Sequence, residues 1–308
     1  MRSLLLLPVI TFALLVSHSQ AQNEAPTDSA AEAKPAKIKV TVPIPPYAFL
    51  VKAIGGEHVD VMTLIDASQD PHSFNLTPKQ TIEIGESDLF ITSGMEFEEQ
   101  FIYNIADELP DLKWADINKG LEMIESVCIH HGDEEEEDEH HEHEHALPDP
   151  HTWTSPSYLG MQAITVSEAL TKLAPNQKDA FNANLVSVLE KIQQVERQVA
   201  ATLKPHKGKD FYVFHPAFGY FSREYGLNEK AIEVGGKQPT ARQLLEIIQE
   251  AGADKAKAIF IEPQFESTAA REVAKQIGAK IVMVDPLQED ILGTLTEFSK
   301  NLAEVLSD

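Results

Sequence analysis

Between Pro175 and Pro205 the chain runs for about 28 residues without a glycine or a proline, and an apolar residue recurs on every turn. Phe181, Leu185, Val188, Leu189, Ile192, Val195, Val199 and Leu203 keep the three- and four-residue spacing of one helix face. At 1.5 Å per residue that is roughly 42 Å, long enough to cross a whole molecule rather than to cover one sheet. A two-helix hairpin would need a break, and the segment offers none. The spacing therefore predicts one rigid helix over 175–204, joining whatever lies on its two sides.

Both sides alternate short apolar strands with helices. Before the long helix, "IKVTV", "HVDVMTLI" and "DLFIT" read as strands. "PPYAFLVKAIGG" reads as a helix opened by proline and closed by glycine, and "SPSYLGMQAITVSEALTKL" as a helix with an apolar stripe. After it come the strands "DFYVFH", "AIEV", "AKAIFI" and "AKIVMV", with helices in "PTARQLLEIIQEAG", "STAAREVAKQIG" and "DILGTLTEFSKNLAEVLS". Short apolar strands each followed by a helix argue for parallel sheets covered on both faces. The expected fold is α/β: an N-terminal lobe over 38–170, the linker helix, and a C-terminal lobe over 208–308.

The N-terminus reads as an export signal. Arg2 precedes the apolar run "LLLLPVITFALLV", and Ser19 and Ala21 stand as small residues before a cut, so residues 1–21 are expected to be removed. The polar leader over 22–37 has the composition of a disordered segment. No cysteine follows the cut to carry a lipid, and Cys128, alone in the chain, has no partner for an internal disulfide. A soluble protein of the periplasm is expected. The formal charge of −24 excludes nucleic acid held through its phosphates and favours cations as partners.

Half of the twelve histidines lie in "HHGDEEEEDEHHEHEH": His130, His131, His140, His141, His143 and His145. Nine carboxylates repel one another there and no apolar residue anchors them, so a mobile loop is expected. Sites that must organise around an ion each time bind more weakly than a prebuilt one. The run is therefore read as an auxiliary zinc collector or sensor, and its plainer alternative is a solvated spacer.

A better-built site is indicated elsewhere. In open parallel sheets, ligands bind beyond the carboxyl ends of the strands. His72 follows the strand "HVDVMTLI", His151 lies in the second Asp-Pro-His of the chain, His215 ends "DFYVFH", and Asp285 ends "AKIVMV". A proline neighbours each and stiffens its backbone. Two candidates come from each side of the long helix, so all four could meet in a cleft between lobes. Three imidazoles and a carboxylate suit zinc, which takes four nitrogen, oxygen or sulfur ligands. His18 leaves with the signal, and His58 and His206 are expected on the solvated surface.

At these residues the chain resembles a known family, the periplasmic solute-binding subunits of ABC importers for zinc and manganese, on the side of high-affinity zinc uptake. The likeness rests on "PHSFNLTP", "DPHTWTSP", "FHPAFGYFSREYGL", "IFIEPQF" and "MVDPL", in that order, and covers the chain from Ile38 onward. It implies two α/β lobes bridged by a rigid helix, with the metal in the cleft. It also implies His72, His151 and His215 as ligands, with Asp285 where several members supply a carboxylate and others use water or a nearby glutamate. A histidine rather than a glutamate at the third position, and a His-rich acidic insertion before the second, accord with zinc-type members. A disulfide that some members carry in the second lobe is impossible here.

The expected task is to capture zinc and deliver it to a membrane permease as a monomer, without converting it. Two alternatives remain at this level. The same binding role could serve manganese or iron. A zinc hydrolase would need Asp285 off the metal and a base such as Glu262, and no H-E-x-x-H pattern supports it. A storage protein using only the histidine run would leave the two-lobed scaffold unexplained.

Overall fold

The computed structural model describes residues 36–105, 108–125, 148–265 and 267–307. The expected signal over 1–21, the leader up to residue 35 and the histidine-rich run over 130–145 lie outside them.

The N-terminal lobe holds four parallel strands: β1 (Ile38–Val42), β2 (Val59–Thr63), β3 (Leu89–Thr92) and β4 (Lys113–Asp116). Their spatial order is β2-β1-β3-β4. Helices α1 (Pro45–Gly55), α2 (Pro78–Gly85) and α3 (Glu96–Ile105) connect them, and α4 (Pro156–Leu173) follows. The expected long helix is α5, Lys178–Leu203, preceded by a tight turn at Pro175–Gln177. Its 26 residues reach about 39 Å.

Beyond it, β5 (Asp210–Val213), β6 (Asn228–Ala231), β7 (Ala258–Ile261) and β8 (Lys280–Met283) form a second parallel sheet in the order β6-β5-β7-β8. Helices α6 (Gly219–Tyr225), α7 (Ala241–Ala253), α8 (Thr268–Ile277) and α9 (Ile291–Leu306) complete the lobe. The two sheets repeat one plan. Helices α2 and α7 even open with the same reciprocal cap, Thr77 with Gln80 and Thr240 with Gln243.

The strand read at "AIEV" sits three residues early, as β6 ends at Ala231. Pairing with β5 nevertheless continues past that end, because Ile232 N donates to Val213 O and Glu233 N to Phe214 O. This continuation fixes the height of Glu233 beside His215.

Residues alternate between the faces of the second sheet. Phe211, Val213 and Phe260 point inward to a core shared with the first lobe, while Tyr212, Phe214, Ile259 and Ile261 pack under α7 and α8. The shared core runs from Val40 and Phe90 through Phe181, Val188, Ile192 and Val199 of α5 to Phe218, Phe221 and Phe298. Helix α5 packs on α1, α4 and α9, so it is built into both lobes rather than hung between them. A continuous close-packed core of this kind opposes large hinge motion. Among the described residues no helix is long and apolar enough to cross a membrane.

Candidate metal site

His72 lies in a single helical turn, Pro71–Ser73, on the loop between β2 and α2. His151 precedes a similar turn, Thr152–Thr154, ahead of α4. Both follow an Asp-Pro pair, and both pairs fold alike: Asp70 Oδ1 accepts from His72 N at 2.9 Å, and Asp149 Oδ1 from His151 N at 2.9 Å. The repeated motif is thus a turn in which the aspartate fixes the backbone two residues on. His215 stands two residues past β5.

The three side chains converge through the same ring atom. Nε2 of His72 is 3.4 Å from that of His151 and 3.2 Å from that of His215, and the last two are 3.1 Å apart. Zinc–imidazole bonds of about 2.0–2.1 Å in a tetrahedron place their nitrogens about 3.3 Å apart. The observed spacing fits. Among the described residues no other group of three histidine, cysteine or carboxylate side chains converges in this way.

Two of the rings have their far nitrogen engaged. His151 Nδ1 lies 2.7 Å from Asp149 Oδ1, and His215 Nδ1 lies 3.0 Å from Glu233 Oε2. A carboxylate accepts only, so each Nδ1 carries the proton and each Nε2 presents a lone pair. Lone pairs 3.1 Å apart repel unless a cation lies between them. Burial holds the pKa of His72 below the usual histidine range, helped by the charge of His215. Burial likewise lowers that of His215, against the opposing hydrogen bond that it donates to Glu233. Both rings are therefore neutral at pH 7, the form that binds metal. Burial alone would raise Asp149, but the neighbouring His151 ring and its hydrogen bonds bring the pKa down on balance, so it stays ionised.

The surroundings hold this pair of rings from both lobes. Thr152 Oγ1 donates to Asn118 Oδ1 at 2.8 Å and meets Tyr47 Oη at 3.2 Å, tying the His151 turn to the first sheet. From the second lobe, Tyr220 Oη donates to Asp149 O at 2.7 Å, and Pro286 O accepts from Trp153 Nε1 at 2.9 Å. Gly219 leaves room for this approach, since a Cβ there would stand 3.2 Å from Asp149 Oδ2. Phe265 stacks on His215 with centroids 4.5 Å apart.

The structure does not bring Asp285 into the cluster. Its Oδ1 accepts from Gln264 Nε2 at 2.6 Å and Leu287 N at 3.0 Å, and its Oδ2 accepts from Gln288 Nε2. Glu262 is buried beneath the His215 backbone, with Oε2 3.4 Å from His215 N. Burial raises its pKa well above the carboxylate range, against the hydrogen bond it accepts from His215 N. His58 sits partly exposed, edge-on to Phe181 at 5.9 Å. His206 is buried in a turn after α5, contrary to the solvated position expected for it, because that turn folds back as the chain enters β5. The six histidines of the run over 130–145 lie outside the described residues.

Sequence reasoning missed the supporting carboxylates. Asp149 was legible in the repeated Asp-Pro-His, as the residue two before the ring. Glu233 carries no such signal: it reaches His215 from eighteen residues away, through the pairing of β5 with the segment after β6.

Comparison with known proteins identifies the family. Residues 40–307 match the family model described as zinc-uptake complex component A, periplasmic. The high-affinity zinc uptake system protein ZnuA of Bacillus subtilis (strain 168) is 30% identical over 268 residues, covering 85% of this chain and 82% of that one. The protein of the same description from Yersinia pestis is 29% identical, covering 83% and 85%. A crystal structure of ZnuA superposes with a TM-score of 0.79 at 29% identity, over 88% of this chain and all of that one. A ZnuA deletion mutant with zinc bound gives 0.79 at 28% identity, over 88% and 99%. The match spans both sheets, the long helix and all three converging histidines, and the chain belongs to the zinc-uptake complex component A family.

Proposed function

We propose that this chain is the zinc-binding component of an ABC importer, which captures the ion in the periplasm and hands it to a membrane permease. Zinc is its cargo, held by Nε2 of His72, His151 and His215. The observation that carries this reading is the convergence of three Nε2 atoms within 3.4 Å, two of them with Nδ1 protons committed to carboxylates. That arrangement stores lone-pair repulsion which a bound dication relieves. Three imidazoles favour zinc over manganese, which prefers more oxygen.

The fourth position falls to water or to a carboxylate that moves in. The family is one of transport components, and the chain is read as a binder that works as a monomer without chemical turnover. A supporting argument against hydrolysis is that Glu262, the candidate base, is buried and accepts from the His215 backbone N–H. The His-rich run over 130–145 is assigned weaker accessory sites on its composition.

Competitive titration of zinc against manganese tests the reading, on the full chain and on variants with His72, His151 or His215 changed to alanine. One tight zinc site lost in all three variants, with weaker sites remaining, is the expected result. A tight site that survives them and disappears only when 130–145 is removed would overturn it.

A further inference from the structure

We propose that Gln264 is a positioning residue for the histidine triad. Its amide holds the His72 loop against the second lobe and keeps the Asp285 carboxylate out of a bound ion's coordination. The inference rests on the triad reading above.

Gln264 lies between β7 and α8, next to the Phe265 ring that stacks on His215. Its Nε2 donates to two acceptors, each at 2.6 Å. One is Ala67 O, on the loop that carries His72; the other is Asp285 Oδ1, just past β8. An amide nitrogen has two hydrogens, so both are committed. Gln264 Oε1, by contrast, is buried with no partner among the described residues. A buried polar atom left unpaired in a folded protein calls for an explanation. Here the two donor contacts fix the amide's orientation, and the stranded acceptor is their consequence.

Each contact answers a need of the site. His72 is the least supported of the three rings. Asp149 and Glu233 hold Nδ1 of the other two, whereas among the described residues no partner meets Nδ1 of His72. Its loop has Asp70 on the backbone of His72 itself, and the Gln264–Ala67 bond reaches it from the opposite lobe. Asp285, for its part, belongs to the strand ends that carry His215. With donors on both oxygens it has little to offer a cation. Without Gln264, Oδ1 loses its shorter bond and becomes a hard oxygen ligand, of the kind that favours manganese relative to zinc.

The test uses the full chain and the variant Gln264→Met, which keeps the length of the side chain and removes both donors. Zinc dissociation is followed by stopped-flow competition with a chromogenic chelator. Cobalt(II) loaded at one equivalent reports coordination number through its visible absorption, which weakens as a fifth ligand joins. The expected result is zinc release about tenfold faster or more, on the scale of other outer contacts to metal ligands, together with a weakened cobalt band. In the double variant Gln264→Met/Asp285→Asn, the cobalt band returns to that of the parent while release stays fast. A parent-like release rate in Gln264→Met overturns the proposal, and so does a parent-like cobalt band, even if the melting temperature falls. Failure of the triad reading would show separately: the parent's own cobalt band would then survive His215→Ala.

Discussion

The two sheets share strand order, parallel pairing and helix caps, and differ where their strands end. Equivalent backbone bonds align them: Ile65 N to Pro43 O matches Glu233 N to Phe214 O, and Ile117 N to Thr92 O matches Val284 N to Ile261 O. By that alignment the first sheet ends in Ile44, Ile65, Ser93 and Asn118, and the second in His215, Glu233, Glu262 and Asp285. One row is apolar or neutral, and the other is titratable throughout. The first sheet is a support, whose Asn118 holds the His151 turn, and its lobe brings the proposed ligands His72 and His151 only on loops. The second sheet presents the proposed ligand His215 and its carboxylate partner Glu233 directly from its strand ends. One plan used twice thus gives one row of strand ends that supports and one that carries titratable groups.

The comparison can be broken by exchanging the ends. Ile65→Glu places in the first lobe the carboxylate that the second lobe carries at Glu233, but with no imidazole to receive it. An uncompensated buried charge costs about 3–5 kcal/mol, so urea denaturation should show a loss of that size or outright unfolding. A change under about 1 kcal/mol would mean that the two rows are interchangeable. Next in size, His215→Ala should weaken zinc binding by more than the about 100-fold that outer partners carry. His72→Ala should cost less, because among the described residues no carboxylate meets its Nδ1. Equal losses in a competition titration would remove the distinction between a fixed and a lent ligand.

Smaller again, Glu233→Gln and Asp149→Asn should each lower zinc affinity by about 10–100-fold while leaving one site per chain. The pH dependence follows from the depressed pKa values of His72 and His215. Zinc affinity should hold from pH 7.5 down to the usual histidine pKa of about 6.5 and fall only below it, since protons compete for these rings later than for free histidine. The metal-free fold should lose stability over the same descent, because the unfolded chain takes up protons first. Calorimetry that finds affinity falling between pH 7.5 and 6.5 would contradict neutral, desolvated ligands.

The smallest effect separates the twin caps. Thr77→Ala and Thr240→Ala should each cost about 1 kcal/mol of stability. Only Thr77→Ala should also speed zinc release, since Gln80 of that cap bonds Leu64 O at the root of the His72 loop.

Much of this architecture can be read from the chain, for reasons that also explain the gaps. The long helix is legible because its apolar stripe is uninterrupted, and β1, β7 and β8 because they are short apolar runs bounded by turn residues. Helix α2 and strand β4 are not legible: "PKQTIEIG" and "KWAD" are short and mostly polar, and tertiary contacts settle them. The displaced β6 shows the same limit, as pairing with β5 decides its register and not the hydrophobicity of "AIEV". At the site, histidines at strand ends and after Asp-Pro stand out singly. Their convergence, the hold of Glu233 on His215, and the diversion of Asp285 to Gln264 are products of the fold, since they join residues brought together only by crossovers.

The measurement that tests the central claim most directly is X-ray absorption at the zinc edge, on the chain loaded with one equivalent of zinc and lacking 130–145. Three imidazoles, with zinc–nitrogen distances of about 2.0–2.1 Å and the outer scattering of ordered rings, are the result this account predicts. A shell dominated by oxygen, or one imidazole or none, would contradict it.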